Sequence, residues 1–185
     1  MNLNHQNQQT LSQLYKFVIS LTNDIKEHPY ATLEQLIPRH VGFSSKFPDF
    51  FRATVLLSKP SKIVNQLPGL SNKDLLIHVL HLMLDVSKKS LKETELIKRN
   101  HQLYYGNKDI YDLVIDNRME LTMLLSTLFY RHEIMVGRLN MYDASAKIGE
   151  VYLKKFYKEP ESSNVPETEV KEVPKIEENP AAIPE

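Results

Sequence analysis

The sequence predicts an all-α protein, a helical bundle built on a long antiparallel helical hairpin. Apolar residues recur at intervals of three and four along most of the first 157 residues, which is the spacing of a helix face. No segment has a convincing strand pattern. The chain is 42% hydrophobic and 25% charged, which is typical of a globular protein with a real core. We therefore expect one all-helical domain over residues 1–157.

The N-terminal part predicts helices that pack on this hairpin. A helix at about residues 6–27 is indicated by one apolar face, formed by Leu11, Leu14, Tyr15, Val18, Leu21 and Ile25. Thr32 and Gln35 have the spacing of a capping box, which predicts a second, short helix. Pro48 suits the first turn of a third helix, and a further short helix is expected just before Pro68.

The first arm of the hairpin is predicted at about residues 71–105. Ser71 and Asp74 suit its start, and the stretch LLIHVLHLMLD that begins at Leu75 is apolar on most sides. A helix that is hydrophobic all round is buried, so we expect this half in the core. The second half of the arm is charged and is expected to be exposed.

The second arm, at about residues 109–157, has the longest periodic pattern in the chain. Twelve of fourteen positions along one seam are apolar or small, the exceptions being Arg118 and His132. The pattern predicts one long helix or two nearly collinear ones, with Gly137 and Gly149 as points where the helix can bend. The first half of the seam is expected inside the protein and the second half nearer a partner.

Residues 158–185 differ sharply from the rest. They hold eight glutamates, three lysines and five of the ten prolines, so this tail carries a charge of −5 and the body +5. Such a composition predicts a disordered acidic tail, separate from the folded domain. The favoured interpretation is a solubilising or linker tail. The alternative is a short docking segment, because apolar residues recur at intervals of three at Val170, Val173 and Ile176.

Catalytic and cofactor signatures are absent from the sequence. There is no cysteine, no Gly-x-Ser-x-Gly and no glycine-rich phosphate loop. We therefore expect a non-enzymatic protein without a cofactor. The N-terminus does not resemble a secretory signal, and the longest apolar runs are too short to span a membrane, so the expected location is cytoplasmic.

A metal site is an alternative hypothesis. His78, His81 and Asp85 share one side of a helix, and two imidazoles with a carboxylate suit zinc or iron. His132 is the only histidine of the seam, and the sequence leaves open whether it approaches the other two. However, no Glu-x-x-His is present, so buried, hydrogen-bonded histidines are the favoured interpretation.

DNA binding is a second alternative. Residues 62–82 have the outline of a helix-turn-helix with its turn at Pro68–Ser71. Asp74 near the start of the second helix, and the apolar residues after it, argue against a fit to the groove of DNA. Nucleic acid is therefore not a favoured partner.

The favoured function is that of a helical adaptor, chaperone-like protein or assembly subunit that acts through protein–protein contacts. The partner is another protein, in a multi-subunit complex or a homodimer. The candidate partner-binding residues lie on the far half of the seam and in the tail: Leu139, Tyr142, Ala146, Gly149, Leu153, Phe156, Val170, Val173 and Ile176.

Overall fold

The computed structural model describes residues 5–156, without the side chains of residues 5–7, 152 and 154–156. Within this part of the chain the fold is all-α, with ten helices and no strand, which confirms the predicted class. The helices are α1 (His5–Glu27), α2 (Leu33–Arg39), α3 (Val41–Lys46), α4 (Pro48–Ser58), α5 (Asn72–Ser87), α6 (Glu93–Arg99), α7 (His101–Gly106), α8 (Lys108–Ile115), α9 (Leu121–Met135) and α10 (Met141–Phe156).

Helix α5 lies at the centre of the bundle. It contacts α1, α4, α6, α7, α8 and α9. Its apolar sequence explains this position, because Leu75, Leu76, Val79 and Leu80 are all buried. The N-terminal helices pack on it as expected, and the apolar face predicted for α1 is buried along its length.

Local start signals are confirmed at two helices. Thr32 accepts a hydrogen bond from the backbone N–H of Gln35, whose side chain accepts one from the N–H of Thr32, so the capping box of α2 is complete. Ser71 Oγ accepts from the N–H of Asp74 at the start of α5. These signals depend only on neighbouring residues, which is why the sequence reveals them.

The long hairpin is not observed, because each predicted arm is divided into three helices. In residues 71–105 the first division follows Ser87, where Lys89 has a left-handed backbone with φ of 52°. The second is at Asn100, whose buried side chain donates to the carbonyl of Leu96 and to Oδ2 of Asp85. This inward-facing amide satisfies polar groups of α5 at the point where α6 ends and α7 begins.

In the second arm, the ends of α8 and α9 are each followed by a residue with a left-handed backbone conformation. Asn117 has φ of 56° after α8, and Gly137 has φ of 76° after α9. The N–H groups of Gly137 and Arg138 donate to the carbonyls of Ile134 and Glu133, which terminates α9. Gly137 was identified from the sequence as a point of weakness, whereas Gly149 lies inside α10 without interrupting it.

Two further sequence predictions concern membrane spans and the acidic tail. Within residues 5–156, no helix combines the length and the apolar character that a bilayer crossing requires. The acidic tail, residues 158–185, lies outside the described residues.

Candidate protein-interaction groove

Two of the residues proposed for a metal site, His81 and Asp85, belong to a polar cluster around the buried Asp85 carboxylate. The side chain of Asp85 is fully buried, and its Oδ1 lies 3.4 Å from both Lys88 Nζ and Arg99 NH1. His81 Nδ1 lies 3.0 Å from Oδ1 of Asn100 and 3.9 Å from the Asp85 carboxylate. Basic and amide groups therefore satisfy this carboxylate, as a buried charge requires.

His78 and His132 have different surroundings. Burial lowers the pKa of His78, although Asp74 and a hydrogen bond with Gln102 favour its charged form. His132 is buried on α9 at the edge of a surface groove beside α4. Across residues 5–156, no three or more acidic or histidine side chains are arranged to hold a metal ion. The structure thus does not assemble the ligand set that the sequence suggested.

The helix-turn-helix predicted at residues 62–82 is wrong in its first half. Residues 59–71 form no helix and instead cross the end of α9 as a strap. The N–H groups of Val64 and Asn65 both donate to the carbonyl of Met135, and the Asn65 side chain donates to that of Ile134. These bonds cap the C-terminus of α9, so the backbone of the strap is used for tertiary contact.

The other end of the strap is held by Arg131. Its Nε donates to Oδ1 of Asn72 at 2.9 Å, and its NH2 donates to the carbonyls of Pro68 and Leu70. The guanidinium is partly buried without a carboxylate partner among the described residues, and burial lowers its pKa. Neutral oxygens of the strap therefore provide its hydrogen-bond acceptors.

An open apolar groove runs between α4 and α9. Its volume is about 540 Å³, and its lining is mostly hydrophobic. Leu56 and Leu57 of α4 face Leu125 and Phe129 of α9 across it. Phe129 is 49% exposed and Leu56 38% exposed, so large apolar side chains are left in contact with solvent.

A smaller hollow of about 310 Å³ continues this groove towards the start of the strap. Arg52 and Leu56 line both, and the smaller one adds Leu33 of α2, Pro60 of the strap and the buried His132. The α4–α9 groove, taken with this extension, thus borders four separate elements, α2, α4, α9 and the strap. Such a surface exists only after α4, α9 and the strap have packed together.

The electrostatics of the α4–α9 groove are dominated by two cations. Arg52 and Lys59 line it, and neither forms an ion pair with another described residue. Backbone and side-chain hydrogen bonds at the start of α2 lower the pKa of Glu34, and the charge of Lys59 adds a smaller effect in the same direction. Asp49, three positions before Arg52 on α4, supplies one opposite charge. The groove therefore presents an apolar floor beside unpaired positive charge.

The partner-binding residues predicted from the sequence lie elsewhere, on and before α10. Tyr142 is 83% exposed and Leu153 57% exposed, Ala146 is exposed, and Leu139 and Gly149 are half-buried. Phe156 ends α10, and Val170, Val173 and Ile176 lie outside the described residues. Helix α10 packs on α9, so part of its surface is left uncovered.

Sequence reasoning missed the groove because its residues belong to distant segments. Phe129 lies off the predicted seam of the second arm, and Leu56 lies far from it in the sequence, on α4. An aromatic residue beside a regular seam is the signal that the sequence offers. A second missed feature is the contact between Asp24 near the end of α1 and His28 just after that end. Their spacing of four residues is a sign of such a pair.

The described part of the chain is thus an all-α bundle with an open apolar groove between α4 and α9. Comparison of the chain with protein-family models, with curated proteins and with solved structures found no match.

Proposed function

We propose that the protein is a non-enzymatic helical adaptor or assembly subunit that binds a segment of a partner protein in the α4–α9 groove. The observation that carries this proposal is the exposure of Phe129 and Leu56 in an open groove flanked by Arg52 and Lys59. Burying such side chains on association is favourable by about 25 cal/mol per Å² of apolar surface.

The chemistry of the groove specifies the partner segment. Apolar side chains at regular intervals match its floor, and carboxylates match the unpaired Arg52 and Lys59. An amphipathic segment that lies in a hydrophobic groove is a recurrent form of peptide recognition. The expected ligand is therefore an acidic segment of a protein with apolar residues on one face.

The exposed residues of α10 provide a second candidate surface for the same function. Tyr142 and Leu153 are large, exposed side chains on a helix that packs on α9. Neither residue lines the α4–α9 groove or its extension. We therefore place the primary contact in the groove and treat α10 as an alternative surface that the same experiment tests.

The experiment selects ligands from a display library of random 16-residue peptides with the full chain as bait. The affinities of the enriched peptides are then measured by fluorescence anisotropy for the native chain and three variants. Phe129→Ser should weaken binding at least tenfold. Tyr105→Ser is the matched control, because Tyr105 is a 79% exposed aromatic on α7, away from the groove, and it should change affinity less than twofold.

Each outcome bears on the proposal. Enriched peptides that are acidic, amphipathic and sensitive to Phe129→Ser support it. Peptides that bind Phe129→Ser as tightly as the native chain contradict the groove, and loss of binding in Leu153→Ser instead would assign the contact to α10. The proposed function is contradicted if no peptide is enriched by the native chain or by a variant in which Val170, Val173 and Ile176 are replaced by serine.

A further inference from the structure

We infer that the acidic C-terminal segment of this chain, residues 167–178, docks in the α4–α9 groove of the same molecule. A partner segment must then displace it. The docking itself rests on the chemistry of the groove and the segment, whereas its regulatory consequence rests on the proposed function.

The segment matches the groove in both polarity and charge. Its sequence, ETEVKEVPKIEE, has five glutamates and two lysines, a charge of −3, and places Val170, Val173 and Ile176 at intervals of three. The groove offers an apolar floor with Arg52 and Lys59 unpaired beside it. Apolar side chains can therefore enter the groove while glutamates approach the two cations.

The spacing also suits an extended ligand. A polyproline II segment repeats every three residues, so three side chains at that interval lie on one face. Pro174 is compatible with this conformation, whereas a proline in the interior of an α-helix removes a hydrogen bond and clashes with the preceding turn. The bound segment is thus expected to be extended, not helical.

The connection is long enough to reach the groove. Helix α10 ends at Phe156, and Val170 follows fourteen residues later. An extended connection of this length spans roughly 46–50 Å. Helix α10 packs on α9, and α9 forms one wall of the groove, so a connection of this length can reach it.

Covalent connection makes even a weak contact effective. A segment tethered by a short flexible connection experiences an effective concentration in the millimolar range. A contact with a dissociation constant near 0.1 mM would therefore be formed in about nine molecules of ten. A competing partner would bind with an apparent affinity about tenfold lower than its affinity for an open groove.

The test uses the absence of cysteine from the chain. Thr168→Cys introduces a single thiol next to the apolar triplet, and a nitroxide label there broadens the NMR signals of amides within about 20 Å. Amides of Arg52, Leu56 and Phe129 should lose most of their intensity, and that of Tyr105 should lose little. Uniform broadening, or none at the groove, would overturn the inference.

Two controls fix the identity of the contact. Phe129→Ser in the labelled chain should restore at least half of the lost intensity at Leu56. A mixture of isotope-labelled chains without nitroxide and nitroxide-labelled chains without isotope should show no broadening at the groove. Broadening in that mixture would assign the segment to a second copy and overturn docking within one molecule.

A tail variant separates this inference from the proposed function. Val170, Val173 and Ile176 are all replaced by serine in the full chain, and the enriched display peptides are titrated again. Peptide binding about tenfold tighter than to the native chain supports displacement of the tail. Equal affinity with no paramagnetic effect overturns the docking while leaving the groove as a partner site. A paramagnetic effect without any peptide ligand contradicts only the proposed function.

Discussion

The Nε2 atom of His40 lies 2.9 Å from Oδ2 of Asp24, and Nδ1 of His28 lies 2.9 Å from the other carboxylate oxygen. Arg39 NH1 is 3.1 Å from the same oxygen as His28. Asp24 therefore connects the end of α1 with the junction of α2 and α3. Burial by itself opposes its ionisation, but hydrogen bonds with His40 and His28 and the charge of Arg39 outweigh burial and lower the pKa of Asp24.

Replacing Asp24 by asparagine should lower the free energy of unfolding at pH 7 by about 1.5–3 kcal/mol, since hydrogen bonds to a charged group are lost. Because the pKa of Asp24 is lower in the folded state, the ionised carboxylate stabilises the fold at pH values above its ordinary pKa of 3.8. That contribution disappears as the pH falls through the lower, folded pKa. Urea titrations of the native chain and Asp24→Asn should therefore differ at pH 7 and converge at the lowest pH at which the chain is folded.

Asp116→Asn is the control for this prediction. Asp116 also pairs with an arginine, Arg118, but the pair is exposed on both sides and contributes little. Its replacement should change the unfolding free energy by less than about 0.5 kcal/mol at either pH. A difference between the native chain and Asp24→Asn that is constant with pH would show that the ionised carboxylate is not the source.

His132 should make stability depend on pH between about 7 and 5. Its side chain is buried and has no hydrogen-bond partner among the described residues. Burial lowers the pKa of His132, the charge of Arg138 adds to the effect, and Glu133 opposes it. Below the ordinary value of 6.5, this histidine binds a proton more readily in the unfolded chain than in the folded one. The free energy of unfolding therefore decreases as the pH is lowered, by at most about 1.4 kcal/mol per pH unit.

Denaturant titrations across this pH range can isolate the contribution of His132. His132→Gln should flatten the dependence of unfolding free energy on pH, whatever its effect on stability at pH 7.5. His101→Gln, at an exposed position on α7, is the matched control and should leave the slope unchanged. An unaltered slope in His132→Gln would contradict the prediction.

Two adjacent leucines of α9 should differ in their contributions to stability. Leu124 is fully buried, whereas Leu125 is only partly buried and lines the α4–α9 groove. Leu124→Ala should cost about 2–5 kcal/mol, because it removes buried methyl groups and leaves a cavity. Leu125→Ala should cost clearly less. Thermal and urea unfolding measure both, and equal losses would indicate that Leu125 is ordinary core.

Leu153→Asp should spare the fold. Leu153 is 57% exposed on α10, so a carboxylate there remains hydrated. The variant should unfold within about 0.5–1 kcal/mol of the native chain in urea. Extensive unfolding of the isolated protein would mean that this end of α10 belongs to the core rather than to a partner surface.

Arg131→Met should release the strap. Without the guanidinium, the carbonyls of Pro68 and Leu70 and the side chain of Asn72 lose their donor. Trypsin should then cleave after Lys62 several times faster under native conditions, because local opening exposes the bond. Arg118→Met, which removes an exposed arginine, should not change that rate. An unchanged rate in Arg131→Met would show that other contacts hold the strap.

The sequence by itself determined the helical class, the buried face of α1, the burial of the first half of the predicted arm at residues 71–105, which is α5, and the starts of α2 and α5. These features follow from periodicity and from capping residues, which act within a few positions along the chain. The break at Gly137 was also predicted from the sequence, because glycine adopts the left-handed conformation that often ends a helix.

Only the tertiary structure decided where the predicted arms are divided and what the segment after α4 does. Asn100 meets Asp85 fifteen positions earlier, and the N–H of Val64 meets the carbonyl of Met135 about seventy positions later. Hydrogen bonds between such distant residues override local helix preference, since a buried polar group must find a partner wherever the fold provides one. The α4–α9 groove has the same origin, because Leu56 and Phe129 meet only after α4 and α9 have packed.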